Sequence, residues 1–484
     1  MFGAGLLTNV AFEPAGVFPV AFLTLAVLIW IWSGSSARIC AWSGFAFALG
    51  FYGFGIHWIY TSLHEFGAAA PALAGFMVFA LACILSLLVA ISGYLQARLQ
   101  VSMTSRCLAV IPAIWVSVEW IRSWILTGFP WLYVGYSQTD SWLVGWAPIL
   151  GVLGVSFMVC LISGVLVCSI RNGIRVDIVV LALVVTLAGF WSKTIDWTTE
   201  SHPPINVAIV QADVDILDKW NFQNARSNLE FFVKQTQALE NQDLVLWPEI
   251  AIVHTDKRLE KLQLWRLLKD LAPDVLLGVV EEQENDDKAV HYNSAYGISD
   301  EVQKYRKRHL VPFGEFTPFR SVLGWLDNYI DIPESDFTSY EGTQNPLILA
   351  GQPAAVSICY EDAFPQEFFE MLPESTYLVN LSEDAWFGER LAPFQRLQMS
   401  RMRAMESARP VLRAANKGIS ASVDHKGNVI DQLVQDEGKV LKTQITPKSG
   451  STPYVRFGNI PVLLMCAVVF VLAVVRKIHV RMAS

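Results

Sequence analysis

Apolar runs long enough to cross a lipid bilayer occupy most of the first 193 residues. A membrane-spanning helix needs about 20 mostly apolar residues, and each run is bounded by charge, glycine or proline. The six clear runs are 17–33, 39–62, 70–97, 107–127, 148–170 and 177–192. We therefore predict an α-helical polytopic membrane domain over residues 1–193.

Two further apolar segments lie near the ends of the sequence. The stretch 3–12 is either half a span or the end of a full one, and residues 1–16 lack the basic segment of a signal peptide. The run 457–475 is followed by three basic residues, Arg476, Lys477 and Arg481. We therefore expect no cleaved leader, and we assign 457–484 as a last transmembrane helix with a basic cytoplasmic tail.

The composition of the chain supports a membrane protein and excludes other classes. Hydrophobic residues make up 53% of the 484 residues and charged residues 17%, with a mean hydropathy of +0.38. Soluble proteins typically carry about 25% charged residues, and disordered chains have fewer aromatic and aliphatic ones. The net charge of −8, without a basic run outside the membrane flanks, argues against a nucleic-acid partner.

Residues 194–456 have a different pattern, in which short apolar strands alternate with amphipathic helices. The predicted strands are 206–210, 244–246, 275–280, 355–358 and 377–381. The predicted helices are 224–239 and 257–271. This alternation is typical of an α/β domain, and about 260 residues can bury a substantial core.

The charges of the short loops predict the orientation in the membrane. If the spans alternate, the basic loops fall on one side, and they carry Arg38, Arg98, Arg106, Arg171 and Arg175. The intervening loops, 63–67 and 128–145, contain no lysine or arginine. Basic loops stay in the cytoplasm, so we expect the α/β domain outside the cytoplasmic membrane.

Three residues of the α/β domain could act in acyl transfer. Glu249 follows an apolar strand, Lys307 precedes a turn, and Cys359 is the one cysteine of seven in polar sequence. A thiol can attack a carbonyl, a carboxylate can take its proton and an ammonium can stabilise the oxyanion. Each residue also has a commoner explanation: a solvated glutamate, a solvated basic cluster and a small buried hydrophobe. The residues alone leave both explanations open.

Longer motifs around these residues resemble a known family. Trp247-Pro248-Glu249, Tyr305-Arg306-Lys307 and Cys359-Tyr360-Glu361 are similar to the Glu–Lys–Cys triad of the nitrilase superfamily. More specific segments, together with the apolar spans, resemble the bacterial apolipoprotein N-acyltransferase family. They are 126–131, 135–138, 309–315, 384–388, 401–406 and 452–454.

The resemblance implies a nitrilase-like αββα sandwich for the outer domain and a two-step reaction. An acyl chain would pass from a membrane phospholipid to a cysteine thioester, and then to the α-amine of an N-terminal diacylglyceryl-cysteine of an apolipoprotein. It implies Glu249 as general base, Lys307 as oxyanion stabiliser and Cys359 as nucleophile. It implies neither metal nor cofactor, and we expect a monomer in the inner membrane.

The resemblance also implies supporting and substrate-binding residues. The supporting residues are Glu315, Tyr360 and Glu361. The substrate-binding residues are Trp220, on a mobile arm over the site, Trp131 and Trp386.

The sequence departs from the family pattern at Glu383, where the family usually has asparagine. The carboxylate could alter how the acceptor is handled, although we favour a neutral loop change. Within the fourth predicted span, Glu119 and Arg122 lie three residues apart, and we expect an ion pair that lets both tolerate the bilayer.

Two other functions are weighed against acyl transfer between lipids. A membrane-anchored nitrilase-type amidase would pass the acyl group of a small amide to water. A transporter would more often show inverted repeats, which this sequence lacks, and the presence of all three triad residues argues against a non-catalytic lipid-binding protein.

Overall fold

The structure is a computed structural model that describes residues 1–483 except 222, 272, 286–287, 326–328, 330–336, 389–390 and 435–438. The side chains of 285, 288, 322–323 and 476–483, which include the predicted basic tail, also lie outside the described part. The chain forms two compact units. The helical unit comprises Met1–Tyr60, Ala72–Asp196 and Thr452–Ser484, and the sheet unit comprises Thr61–Pro71 and Trp197–Ser451.

Helices form wherever the sequence of the first 193 residues predicts a span. They are α1 (Phe2–Thr8), α2 (Pro19–Gly34), α3 (Ala37–Gly55), α4 (Ile59–Thr61), α5 (Pro71–Ala97), α6 (Met103–Ser105), α7 (Ile111–Arg122), α8 (Ala147–Asn172) and α9 (Val176–Ser192). Among the described residues, three helices are long and apolar enough to cross a membrane: Pro71–Ala97, Met103–Arg122 and Trp142–Asn172. The predicted run 39–62 bends by 58° between Ala37–Gly55 and Ile59–Phe66, and would be a fourth span if counted as one.

The expected ion pair between Glu119 and Arg122 is wrong, because each side chain takes partners of its own. The guanidinium of Arg122 donates to the backbone carbonyls of Phe129, at 3.3 Å, and Trp131. Glu119 Oε1 accepts a hydrogen bond of 2.8 Å from the backbone N–H of Val134. Both charges therefore hold the loop that follows α7, rather than each other.

Helix ends that flank the predicted basic loops lie together at one end of the helical unit. At the end of α2, Trp32 Nε1 donates to the carbonyl of Cys40 at 2.9 Å, near the start of α3. Gln96, at the end of α5, donates to the carbonyl of Trp32 at 3.4 Å. Arg171, at the end of α8, donates to the carbonyl of Trp30 at 2.7 Å. The basic loops are thus grouped as an alternating chain requires.

The sheet unit is built from strands and short helices. The strands are β1 (Thr198–Glu200), β2 (Ile205–Val210), β3 (Leu244–Leu246), β4 (Ile252–Thr255), β5 (Asp274–Asn285), β6 (Lys288–Ile298), β7 (Val302–Arg306), β8 (Leu347–Leu349), β9 (Gln352–Ile358), β10 (Tyr377–Ser382), β11 (Val411–Ala415), β12 (Ser420–Val423), β13 (Val429–Leu433), β14 (Val440–Ile445) and β15 (Lys448–Gly450). The helices are α10 (Ile216–Lys219), α11 (Ala225–Gln237), α12 (Asp256–Lys261), α13 (Leu264–Lys269), α14 (Arg320–Leu323) and α15 (Ala392–Ser407). The chain then returns to the helical unit through α16 (Pro453–Phe457) and α17 (Ile460–Ala483).

The two large sheets stack between helices, which confirms the αββα sandwich. One sheet has the order β14-β2-β3-β5-β6-β7, with β4 beside β5, and the other has the order β13-β12-β11-β10-β9-β8. Alternate apolar residues of β2, β3, β5 and β6 form a buried core with α11, α12 and α13. Helix α15 covers β11 and β12 of the second sheet. Strand β3, which is parallel to β2, ends three residues before Glu249. Strand β9, which is parallel to β10, ends at Ile358, directly before Cys359.

The predicted strands are all present, but one predicted helix is not continuous. The segment 257–271 forms α12 and α13, separated at Gln263, whose φ is +56°. A left-handed residue cannot continue an α-helix. The apolar residues on both sides still face the core, so the helical pattern persists across the break.

Candidate active site

Glu249 lies in a loop that packs tightly on the neighbouring strand. The backbone N–H of Gly278 in β5 donates to the carbonyl of Pro248 at 3.2 Å, and its carbonyl accepts from Ala251 at 3.0 Å. A Cβ on Gly278 would lie 2.4 Å from the backbone nitrogen of Ile250. The missing side chain of Gly278 therefore allows the approach that fixes Glu249.

Lys307 and three other buried polar side chains form one hydrogen-bond network. Its Nζ donates to Oε1 of Glu249 at 3.1 Å and to Oε1 of Glu315 at 2.8 Å. The side-chain amide of Asn293 in β6 donates to the same two oxygens at 2.8 and 2.9 Å. Among the described residues, Oε2 of Glu249 is buried and has no hydrogen-bond partner. Glu249 thus keeps one acceptor oxygen for a further proton.

Charge pairing keeps the network ionised despite its burial. Burial alone would raise the pKa of Glu249, but Lys307, Asn293 and Lys219 hold the pKa of this carboxyl below its usual value. Burial would likewise lower the pKa of Lys307, but Glu249 and Glu315 raise the pKa of this ammonium well above its usual value. The site therefore presents a carboxylate base beside a permanent cation.

Cys359 sits at a sharp turn where β9 ends. Its φ is +50°, a left-handed conformation that only a minority of non-glycine residues adopt. The side chain is buried, and burial raises the pKa of the thiol to about 12. Glu249 and Lys307 both act on the thiol electrostatically, so the three predicted catalytic residues share one site.

Glu361 joins the segment that carries Cys359 to the segment that carries Lys307. One carboxylate oxygen accepts from the backbone N–H groups of Arg308 and His309, at 2.7 and 3.2 Å. The other accepts from the N–H of Ile358 at 2.7 Å and from the hydroxyl of Tyr305 at 3.0 Å. The carboxyl group of Glu361 therefore links these two segments, and its supporting role stays a prediction.

Tyr360, the second residue after the strand, contributes an aromatic contact. Its ring meets the ring of His309 at 5.8 Å and that of Phe364 at 5.0 Å, in both cases edge to face. His309 and Phe364 stack at 3.6 Å. These ring contacts connect the segment after β9 to the segment that follows Lys307.

Trp220 follows α10 and lies beside a buried ion pair. Its ring packs on an apolar cluster made of Ile250, Val253, Val280, Leu310 and Phe337. The preceding Lys219 donates to Oε2 of Glu383 at 2.6 Å and to the backbone carbonyl of Glu249 at 2.9 Å. Glu383 is therefore a buried partner of the segment that carries Trp220, a contact that the sequence did not indicate.

The other two predicted substrate-binding tryptophans lie in different units. Trp386 is half-buried in the sheet unit, where its carbonyl accepts from Ser62 at 2.5 Å and its ring meets Phe66 at 5.6 Å. Trp131 belongs to the helical unit, where it is fully buried against Trp58 and Phe129. Its predicted contact with substrate stays a prediction.

Sequence reasoning missed two polar residues of the site. Asn293 lies on β6 and Arg396 on α15, and the latter donates to the sulfur of Cys359 at 3.3 Å. Neither stands in one of the motifs quoted for the triad. Within the described part of the chain, no group of three His, Cys, Asp or Glu residues could hold a metal ion.

Comparisons with known proteins identify the family of this chain. Residues 4–165 match the family model "Apolipoprotein N-acyltransferase N-terminal domain" and residues 206–454 match "Carbon-nitrogen hydrolase". The chain is 37% identical to the apolipoprotein N-acyltransferase of Nitrosomonas europaea, over 95% of this chain and 93% of that one. It is 36% identical to that of Methylococcus capsulatus, over 96% and 93%, and 33% identical to that of Coxiella burnetii, over 95% and 96%. The chain therefore belongs to the apolipoprotein N-acyltransferase family.

Proposed function

We propose that this protein transfers an acyl chain from a membrane phospholipid, through a thioester on Cys359, to the N-terminal diacylglyceryl-cysteine of apolipoproteins. The observation that carries the proposal is the buried Glu249–Lys307 pair, which acts on Cys359 in a chain that matches both domains of the family. A membrane protein suits this chemistry, because each CH₂ drawn out of a bilayer costs about 0.8 kcal/mol.

The first half-reaction forms the thioester. The Glu249 carboxylate takes the thiol proton through its unpartnered Oε2, and the sulfur of Cys359 bonds to the ester carbonyl carbon. The carbonyl electrons move to oxygen, where the third N–H of Lys307 stabilises the oxyanion, since Glu249 and Glu315 occupy the other two. The C–O bond then breaks, and the leaving alkoxide takes the proton from Glu249 and departs as lysophospholipid.

The second half-reaction passes the acyl chain to nitrogen. The neutral α-amine of the apolipoprotein attacks the thioester carbon, and Glu249 takes one of its protons. The tetrahedral intermediate collapses, the C–S bond breaks, and the Cys359 thiolate recovers that proton. The products are an amide and the free enzyme, so no metal or redox cofactor is needed for the balance of atoms and electrons.

We also propose the domain bounds, the orientation in the membrane, the substrate contacts and the oligomeric state. The membrane domain is 1–193, the catalytic domain 194–456 on the periplasmic side of the inner membrane, and the last helix with its cytoplasmic tail 457–484. The grouping of the basic helix ends supports this orientation. Trp220, Trp386 and Trp131 contact the lipid substrates, and the protein acts as a monomer.

Mass spectrometry of a diacylglyceryl-modified lipoprotein tests the overall reaction. After incubation with the purified protein and phospholipid, we expect one added acyl chain on the α-amine. Release of free fatty acid with an unmodified acceptor would instead support a hydrolase of the amidase type.

Labelled phospholipid without acceptor tests the intermediate. Label should stay with the denatured protein, be released by neutral hydroxylamine and be absent from Cys359→Ala. Glu249→Gln and Lys307→Met should lose acylation, because removing one oxyanion donor costs about 10²–10³ in rate. Lys304→Met and Glu284→Gln alter charges outside the network, so these two variants should retain acylation. Acylation of Cys359→Ala would contradict the assignment.

A further inference from the structure

A buried guanidinium touches the nucleophile of the proposed reaction. Arg396 lies on α15, is fully buried, and its Nη1 donates to Cys359 Sγ at 3.3 Å and to Asp384 Oδ1 at 2.6 Å. The two-step reaction does not use this residue. A side chain that donates to a sulfur atom favours the thiolate over the thiol.

Arg396 is one of four charges that balance each other behind the thiol. Its Nη2 lies 3.3 Å from Asp362, and a second buried arginine, Arg413, contacts Asp362 at 2.9 Å and Asp384 at 2.6 Å. Two cations and two anions thus form a closed quartet with no exposed member. A single buried charge would be costly, but paired charges with good geometry are tolerated. The quartet therefore holds the guanidinium charged and fixed.

We propose that Arg396 is a further catalytic residue, which stabilises the Cys359 thiolate directly when the thiol loses its proton and again when the thiolate leaves the thioester. This inference rests on the proposed function and assigns the thiolate and the oxyanion to different cations. Arg396 serves the sulfur, and Lys307 is left to serve the carbonyl oxygen.

The surroundings of Cys359 show why such a donor is needed. Burial raises the pKa of the thiol to about 12, and Arg396 is the charge that opposes this most. Lys307 opposes it less, while Glu249 and Asp384 raise the pKa further. The four charges that act on the sulfur come from four elements. They are Arg396 on α15, Lys307 after β7, Glu249 after β3 and Asp384 after β10. Without Arg396, Lys307 would be the one cation of this set left to oppose Glu249 and Asp384 at the thiolate.

The quartet offers two matched double variants. Arg396→Gln/Asp362→Asn and Arg413→Gln/Asp362→Asn each remove one buried cation and the same anion. The first loses the contact with sulfur, and the second keeps it. Comparing the two variants therefore separates the effect of the guanidinium on Sγ from the effect of a weakened quartet.

The experiment measures the rate of alkylation of Cys359 by iodoacetamide against pH, by intact mass, with Cys359→Ala as the blank. This readout needs no lipid, so it can fail independently of the proposed function. A hydrogen bond to a charged group is stronger than one between neutral groups. In the Arg396 double variant we therefore expect the midpoint of the alkylation rate against pH to rise by about one pH unit or more. Thioester formation should be at least about tenfold slower.

In the Arg413 double variant we expect a midpoint close to that of the unaltered protein, whatever its loss of thermal stability. Equal midpoints in the two double variants would overturn the proposal and leave Arg396 a structural residue. If either double variant does not fold, the alkylation midpoint of Arg396→Lys tests the same proposal. A lysine ammonium lacks the planar fork with which Arg396 reaches the sulfur and both aspartates through two separate nitrogens. The midpoint of Arg396→Lys should therefore also rise, and an unchanged midpoint would overturn the proposal.

Discussion

Lys219 and Glu383 form a 2.6 Å ion pair in which both side chains are almost fully buried. Lys219 also donates to the backbone carbonyl of Glu249, and Asn416 donates to Glu383 at 2.8 Å. Burial raises the pKa of Glu383 despite its neighbour Lys219. The carboxylate that departs from the family pattern is therefore tied to the backbone of the proposed base.

Breaking this pair from one side should cost more than removing it whole. Lys219→Met and Glu383→Gln each leave the other residue without its ionic partner, at a cost of about 3–5 kcal/mol. The double variant should recover most of that loss in free energy of unfolding. Chemical unfolding of the four proteins in a double-mutant cycle measures the coupling. Additive losses would mean that the two charges do not stabilise each other.

Glu361 should control acylation although it does not touch the acyl group. Glu361→Gln replaces an acceptor for four donors with a group that offers one oxygen, so the segments of Lys307 and Cys359 should separate. We expect single-turnover thioester formation to fall about tenfold or more, since small displacements in a site are costly. Tyr305→Phe removes one of the four donors and serves as the control, with a smaller loss. Equal rates for Glu361→Gln and the unaltered protein would contradict this role.

A methyl group at Gly278 should displace the proposed base. The new Cβ would lie 2.4 Å from Ile250 N and 2.7 Å from Glu249 Cα, contacts that the backbone must relieve by moving. Gly278→Ala should therefore lose acylation and some stability. Gly297→Ala, on β6 of the same sheet, is the matched control, because the atoms nearest to its Cβ belong to leucine side chains at 3.1 Å or more. Acylation that stays normal in Gly278→Ala would show that Glu249 tolerates such a shift.

The predicted topology can be tested through cysteine labelling. A membrane-impermeant maleimide, added to cells with a permeabilised outer barrier, should label mainly Cys359, because the proposed topology places this cysteine on that side of the membrane and Glu249 can take the proton of its thiol. The six other cysteines lie in apolar runs or near the predicted cytoplasmic ends of their helices: Cys40, Cys83, Cys107, Cys160, Cys168 and Cys466. Labelling should fall in Cys359→Ala and after incubation with phospholipid. Labelling of Cys359 only after the inner membrane is breached would reverse the topology.

The sequence predicts those parts of the fold and site that depend on local pattern. Apolar periodicity locates β3, β9 and β10, and two of the triad motifs lie at the ends of β3 and β9. The third motif lies at the end of β7. Asn293 and Arg396 escape such reasoning, because their positions depend on the register of β6 against β7 and on how α15 packs over the second sheet. Glu119 and Arg122 show the opposite error. Their spacing suggests a pair, but backbone groups of a neighbouring loop compete for both charges.

The sheet unit is discontinuous in the chain, which limits how the gene can be divided. The long segment begins and ends side by side, because β1 pairs with β15, as in a domain inserted into another protein. The unit is nevertheless incomplete without Thr61–Pro71, which supplies Ser62 and Phe66 to Trp386. A polypeptide of residues 197–451 expressed alone would lack both partners. Transplanting this catalytic unit to another protein therefore requires two pieces of coding sequence, one of them from between two membrane helices.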